Sequence, residues 1–136
     1  MSGSDNPRPF KRRRDADGDD RDWEIRFFEG IVENSPSYVD ALINLGNLYT
    51  TRGDFVKGLE VDRRLVVLRP DDQIVHYNLA CSLSLVGDLE GAFHAVKKAV
   101  ELGYTDYGYM LKDDDLANVR SDPRFCEFIE SMTKPI

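Results

Sequence analysis

The sequence is poor in the residues that build most metal sites, disulfides and catalytic centres. Its 136 residues include two cysteines, two histidines and one tryptophan. Cys81 and Cys126 lie far apart, without the Cys-x-x-Cys spacing of a metal or redox site, so we expect free thiols. The aspartate run 113–115 lacks the alternating spacing of a calcium loop, and helix capping explains it better. No serine or cysteine has a histidine at helical spacing with an acidic partner, and no glycine-rich phosphate loop is present. We therefore expect no enzyme activity, no metal and no cofactor.

Long apolar runs are also missing. No stretch approaches the roughly eighteen consecutive apolar residues of a membrane helix, and the first residues lack the charged-then-apolar pattern of a signal segment. We therefore expect a cytoplasmic protein without a membrane partner. The formal net charge of −7 makes nucleic-acid binding by the folded part of the chain an unfavoured interpretation.

What the sequence does contain is a repeat of 34 residues. Segment 39–72 aligns without gaps on segment 73–106, with seven identical positions. The matching pairs are Asn44/Asn78, Leu45/Leu79, Gly53/Gly87, Asp54/Asp88, Val66/Val100, Leu68/Leu102 and Asp72/Asp106. Chance predicts roughly two identities, since each common residue makes up well under a tenth of average composition. A fixed period of this length is typical of arrays in which each unit buries its core against the next.

The repeat resembles the tetratricopeptide repeat family. Leu42, Leu45, Gly46 and Tyr49 stand where the first helix of that repeat carries W-x2-L-G-x2-Y, and Pro70 stands at the repeat end. The resemblance implies an all-α fold, an antiparallel helix-pair solenoid with the right-handed superhelix of that family. It also implies a scaffold or adaptor that binds other proteins.

The repeat divides the chain into a tail and a helical domain. Residues 1–20 have no periodicity and are rich in Pro, Gly, Asp and Arg, so we expect a disordered tail. The remainder, 21–136, would form the tetratricopeptide-like domain. Its predicted parts are a half repeat over 21–38, repeat 1 over 39–72, repeat 2 over 73–106, and a degenerate repeat with a C-terminal cap over 107–136.

Turn residues mark the helix boundaries. Gly53 and Gly87 each precede an aspartate, which predicts a left-handed turn and then a capped second helix in both repeats. Ser37 and Ser121 are the predicted N-caps of two further helices. Gly46 is predicted to lie where two helices cross closely, so that a larger residue there would overpack the contact.

In the resembled fold the first helices line a concave groove that holds a partner's extended segment or helix. Carried onto this chain, the resemblance implies a groove made by first-helix residues. They are Asp40, Ile43, Asn44, Asn47 and Thr50 in repeat 1, Tyr77, Asn78, Cys81 and Ser84 in repeat 2, and Lys112 in the degenerate repeat. Asparagine suits this role because its amide both donates to and accepts from a peptide backbone. We expect an unidentified protein partner in this groove.

Some members of the family hold a partner's C-terminal carboxylate with two asparagines and three basic residues. Asn47, Asn78 and Lys112 fit three of those places. Ile43 and Gly108 stand at the other two basic places and cannot pair with a carboxylate, so we do not expect this clamp.

Two other interpretations stay open. Trp23 and Phe27 lie four residues apart on one face of the half-repeat helix, without a preceding helix to cover them. Either the tail folds back on them with Phe10, or a second molecule covers them and the chain is a self-associating homodimer. The basic run from Lys11 to Arg14 is typical of a nuclear-localisation or nucleic-acid patch, although the aspartates that follow it would oppose phosphate.

Overall fold

The computed structural model describes residues 18–134, with side chains from residue 22, and all regular secondary structure in this range is helical. The helices are α1 Gly18–Asn34, α2 Val39–Arg52, α3 Phe55–Leu68, α4 Gln73–Leu85, α5 Leu89–Glu101, α6 Tyr107–Met110, α7 Ala117–Arg120 and α8 Pro123–Thr133. A 3₁₀ turn, Asp114–Leu116, lies between α6 and α7. The predicted all-α class is confirmed for the described residues, while residues 1–17 of the predicted tail lie outside them. Within 18–134, none of the helices has the length and apolar character needed to span a bilayer.

The described part of the chain divides into two compact units, with the boundary between Asp71 and Asp72. In the first unit, α1 and α3 both pack on α2. In the second unit, α4 packs on α5, and both helices contact the segment that runs from the 3₁₀ turn through α7. The first helix of a repeat, α2 in one unit and α4 in the other, therefore lies at the centre of each unit.

Helix starts recur every 34 residues. The starts of α2, α4 and α6 are Val39, Gln73 and Tyr107, and those of α3, α5 and α8 are Phe55, Leu89 and Pro123. Four of these helices have an aspartate N-cap whose carboxylate accepts a backbone N–H of the first turn, namely Asp72, Asp88, Asp106 and Asp122. The period visible in the sequence of 39–106 thus continues through the degenerate third copy.

Three predicted N-caps differ from the structure. Asp54 stands at the N-cap of α3 as predicted, but its side chain makes no capping hydrogen bond. Tyr38, not Ser37, is the N-cap of α2, and its side chain makes no capping hydrogen bond. Asp122, not Ser121, caps α8 and accepts a backbone N–H at 3.0 Å. The Ser121 hydroxyl instead donates to the Asn118 carbonyl at 2.6 Å. Asp122 caps α8 in preference to Ser121, because a carboxylate at this position accepts the N–H groups of the first turn and also interacts favourably with the helix dipole.

α8 is fixed to α5 by one arginine and an aromatic contact. The Arg124 guanidinium pairs with both Glu90 and Asp122 at 2.8 Å. Its hydrogen bonds hold the pKa of both carboxyl groups below the usual range. The ring of Phe128 meets Phe93 edge to face, with centroids 6.1 Å apart. The C-terminal helix is therefore part of the second unit's packing.

Glycines shape the turns and the helix crossing as predicted. Gly53 and Gly87 have φ angles of 95° and 89°, in the left-handed region that favours glycine. Gly46 is buried where α2 crosses α3, and a Cβ atom there would lie 3.2 Å from Cγ1 of Val61 and 3.4 Å from Oδ1 of Asp62. The space at this crossing is already filled by α3.

Enlarging Gly46 should destabilise the first unit. In Gly46→Leu the new side chain meets Val61, and we expect the free energy of unfolding to fall by about 1–3 kcal/mol through overpacking. Gly108→Leu is the control, because a Cβ at Gly108 has no neighbour within 4 Å among the described residues. Urea denaturation followed by circular dichroism measures both, and a Gly46→Leu variant as stable as wild type would contradict the close crossing.

Candidate functional site

The first unit contains a cleft that is open to solvent between α1 and α3. Its volume is about 500 Å³, within the roughly 300–1,000 Å³ typical of ligand pockets. α1 and the loop after it form one wall, α3 forms the other, and α2 lies at the base. The lining residues are Glu29, Val32, Glu33, Pro36, Leu45, Tyr49, Lys57, Glu60, Val61 and Arg64. We call this site the α1–α3 cleft.

The base of the cleft is apolar. Val32, Leu45 and Val61 are buried and come from α1, α2 and α3 in turn. Leu45 is also one of the repeat positions, so the residue that anchors α2 in the core reaches the cleft. A partner's apolar side chain placed here would leave water and contact apolar groups from three helices.

A tyrosine and a glutamate join α2 to α1 beside this base. The Tyr49 hydroxyl donates to the Glu29 carboxylate, and the Lys57 ammonium lies 5.6 Å from the centroid of the Tyr49 ring. Burial, and then the bond to Glu29, raises the pKa of Tyr49 well above its ordinary range. The hydroxyl therefore stays protonated at neutral pH and keeps Glu29 in place as its acceptor.

The outer edge of the cleft carries charge of both signs. Nη2 of Arg64 donates to the Pro36 carbonyl at 2.7 Å, which ties the loop after α1 to α3. Glu33 and Glu60 are exposed on opposite walls. Their carboxylates can pair with a basic group of a partner, while Lys57 and Arg64, which are also exposed at the cleft, carry the opposite charge.

The predicted groove residues of repeat 1 lie on the other side of α2. At 3.6 residues per turn, Asp40, Asn44 and Asn47 point away from Leu45 and Tyr49. In this group Asp40 is exposed, and Ile43, Asn44, Asn47 and Thr50 are half-buried. Nδ2 of Asn44 donates to the Asp40 carbonyl of its own helix at 2.9 Å. These residues form a second surface of the first unit, which we call the α2 face.

Most predicted groove residues of repeat 2 are in the core, which corrects the expectation that they face a partner. Tyr77 and Ser84 are 0% exposed and Cys81 is 2% exposed. The chain after α5 folds across this side of α4, where the Tyr77 hydroxyl donates to Oδ2 of Asp113 at 2.6 Å. The Tyr77 ring stacks on Tyr104 with centroids 4.5 Å apart. The chain's own C-terminal part thus covers these side chains.

Asp113 is the acceptor at the centre of this contact. Its Oδ2 also accepts from the Cys81 thiol at 3.8 Å, and its Oδ1 accepts the Asp115 N–H at 3.0 Å. Nη1 of Arg120 donates to the Asp113 carbonyl at 2.6 Å. Asp113 is the N-cap of the 3₁₀ turn, so the predicted capping role is confirmed for this residue. Sequence reasoning missed the bond to Tyr77, because the two residues lie in different predicted repeats.

Ser84 makes a further contact, and the two remaining predicted groove residues, Asn78 and Lys112, have other surroundings. Oγ of Ser84 accepts the Val119 N–H at 3.1 Å, so it also holds the C-terminal segment. Asn78 is 9% exposed, and its Oδ1 has no hydrogen-bond partner within the described part of the chain. Lys112 is exposed on the second unit. Among residues 18–134 no group of three or more His, Cys, Asp or Glu side chains is placed to hold a metal ion.

Trp23 and Phe27 are exposed on α1. Their exposed fractions are 61% and 50%, and their rings stack with centroids 5.5 Å apart and an angle of 7°. They lie on the side of α1 opposite its buried residues Ile25 and Val32. The basic run 11–14 lies outside the described residues.

The Tyr77 bond to Asp113 should contribute to stability. Tyr77→Phe removes the donor and leaves a buried carboxylate less satisfied, so we expect a loss of about 1–3 kcal/mol in the free energy of unfolding. Tyr104→Phe is the matched control in the same ring stack, because the Tyr104 hydroxyl has no hydrogen-bond partner within the described residues. Denaturant melts compare the two, and equal losses would contradict a special role for the bond to Asp113.

Alkaline titration should show late ionisation of three buried tyrosines. Burial raises the pKa of Tyr49, Tyr77 and Tyr104 above the ordinary value of about 10. Since these values are higher folded than unfolded, the stabilisation is complete below about pH 10 and is lost as pH rises through the folded values. We expect Tyr49, Tyr77 and Tyr104 to form tyrosinate only well above about pH 10, together with loss of helical circular dichroism. Formation of tyrosinate by these three residues near their ordinary pKa with the helices intact would contradict this.

The chain matches no model of a known protein family and no curated protein. Its function is therefore inferred from its own residues and their geometry.

Proposed function

We propose that the chain is a protein-interaction module that binds an extended segment of a protein partner in the α1–α3 cleft. The observation that carries the proposal is the cleft of about 500 Å³, with an apolar base from three helices and a charged edge. The recurrence of helix starts every 34 residues supports it, since helix-pair repeats of this period commonly present surfaces to other proteins. A tetratricopeptide-like solenoid is the arrangement we propose for the helix pairs.

The lining of the cleft indicates which segment fits. Val32, Leu45 and Val61 favour an apolar side chain, whose burial contributes about 1.5–3 kcal/mol. Glu33 and Glu60 favour a basic residue beside it, and exposed ion pairs of this kind contribute less than about 1 kcal/mol. The apolar anchor therefore sets the affinity, while the charges set orientation and association rate.

The proposed site differs from the groove implied by the family resemblance. That groove needs side chains from both repeats, and Tyr77 and Cys81 are inside the second unit. The α2 face, with Asp40, Asn44 and Asn47, is the competing surface. It has polar groups suited to a peptide backbone, whereas the α1–α3 cleft has an apolar base in which a side chain could anchor.

Self-association is a second candidate function. The observation that favours it is the exposed, stacked pair of Trp23 and Phe27. Two aromatic side chains with half or more of their surface in water are unusual on a surface that serves no contact.

Peptide selection followed by a charge-reversal comparison tests the cleft. Peptides are selected from a random library on the full chain, and the dissociation constant of the best one is measured by calorimetry. We expect Glu33→Lys/Glu60→Lys to weaken binding roughly tenfold or more, because it reverses the charge at the opening. Circular dichroism checks that the variants are folded.

The control makes the same charge change elsewhere, in Asp40→Lys/Glu130→Lys. Both residues are exposed and outside the cleft, and one of them is on the α2 face. We expect this variant to bind the peptide like wild type. Weakening by the control alone would move the site to the α2 face, and failure to select any peptide would contradict the proposed function.

A further inference from the structure

We propose that two copies of this chain pair through α1 in antiparallel orientation, with the aromatic half of one helix against the small-residue half of the other. This proposal rests on the self-association named above as the second candidate function. It adds the surface, the orientation of the two copies and the residues that meet.

An uncharged stripe runs along the exposed side of α1. It consists of Trp23, Phe27, Gly30 and Asn34, at successive spacings of four, three and four residues. This is the spacing of the seam by which two helices pack as a coiled coil. The buried residues Ile25 and Val32 lie on the opposite side and hold α1 to its own unit. The stripe is therefore available to a second helix.

The two halves of the stripe differ in size. Trp23 and Phe27 are 61% and 50% exposed, while Gly30 has no side chain and a Cβ there would meet nothing within 4 Å. In a parallel pair, Trp23 would face its own copy and the glycines would leave a gap. In an antiparallel pair, Phe27 lies over Gly30 of the second copy and Trp23 lies beside its Asn34. This arrangement has two-fold symmetry, so one contact is made twice.

The fold of one copy does not explain Gly30. A glycine inside a helix is less stable than alanine and usually has a packing reason. Gly46 has such a reason, since a Cβ there would lie 3.2 Å from Val61, and so has Gly58, where it would lie 2.9 Å from Thr50. Gly30 has no comparable neighbour among the described residues. A second helix that approaches closely supplies the missing reason.

The contact is small. An aromatic side chain buries about 150–250 Å² in all, and part of that surface is already covered in the single copy. Four rings therefore bury less than the roughly 1,200 Å² of a standard interface. We expect a reversible dimer that forms at high protein concentration.

The single tryptophan makes the surface directly observable, because Trp23 is the only one in the chain. The molar mass from sedimentation equilibrium and the tryptophan emission are measured over the same concentration series of the full chain. We expect the mass to rise toward twice the monomer mass. The emission should shift to shorter wavelength over the same range, as Trp23 leaves water.

Gly30→Gln is the decisive variant. Glutamine is a better helix former than glycine and has open space in the single copy, so the melting temperature should not fall. Its side chain fills the position that Phe27 of the second copy needs, so mass and emission should become independent of concentration. Gly108→Gln is the matched control, at a second helical glycine where a Cβ would have no near neighbour, and should dimerise like wild type.

Each other outcome overturns the proposal in a distinct way. A monomeric mass at all concentrations contradicts both the α1 dimer and the self-association on which this proposal rests. A rising mass with unchanged emission, or one unaffected by Gly30→Gln, keeps self-association but rejects the α1 pair. Short-wavelength emission from a monomer means that residues 1–17 of the same chain cover Trp23. Peptide binding in the cleft is measured in a separate experiment, so failure of the dimer and failure of the proposed function are distinguishable.

Discussion

The buried carboxylate of Asp113 determines which side of α4 is covered in the second unit. Asp113 is 4% exposed, and a charge in such a place is costly unless donors surround it. The donors are the Tyr77 hydroxyl, the Asp115 N–H and the Cys81 thiol. Because two of them belong to α4, the segment after α5 must lie across that helix. The side of α4 that the family resemblance assigns to a partner is therefore occupied by the chain itself.

The first unit has the same helix spacing, but the corresponding side of its helix α2 is less buried. Ile43 and Asn47 stand at the repeat positions of Tyr77 and Cys81, and both are half-buried rather than enclosed. On the opposite side of α2, Leu45 and Tyr49 reach a cleft that α1 and α3 leave open. Two copies of one sequence pattern have thus diverged, one toward internal packing and the other toward a surface suited to binding. The proposed binding surface therefore lies in the first unit.

The parts predicted from sequence are those set by neighbours along the chain. The Gly53 turn and the start of α3 after Asp54 follow from local backbone preference and match the structure, although Asp54 makes no side-chain capping hydrogen bond. The N-cap at Ser121 failed because an adjacent aspartate competes for the same N–H groups, which sequence order alone does not decide. The bond between Tyr77 and Asp113 and the opening between α1 and α3 depend on tertiary packing. Neither has a local signature in the sequence. The groove implied by the family resemblance therefore falls on a surface that is partly buried.

Mapping of backbone amide chemical shifts tests the binding site most directly. The full chain, labelled with ¹⁵N, is titrated with the selected peptide. We expect the largest shifts at Glu33, Glu60 and Val61, which line the α1–α3 cleft from both walls, with Asp40 and Asn47 little changed. The largest shifts at Asp40 and Asn47, with the cleft residues unmoved, would contradict the cleft as the binding site.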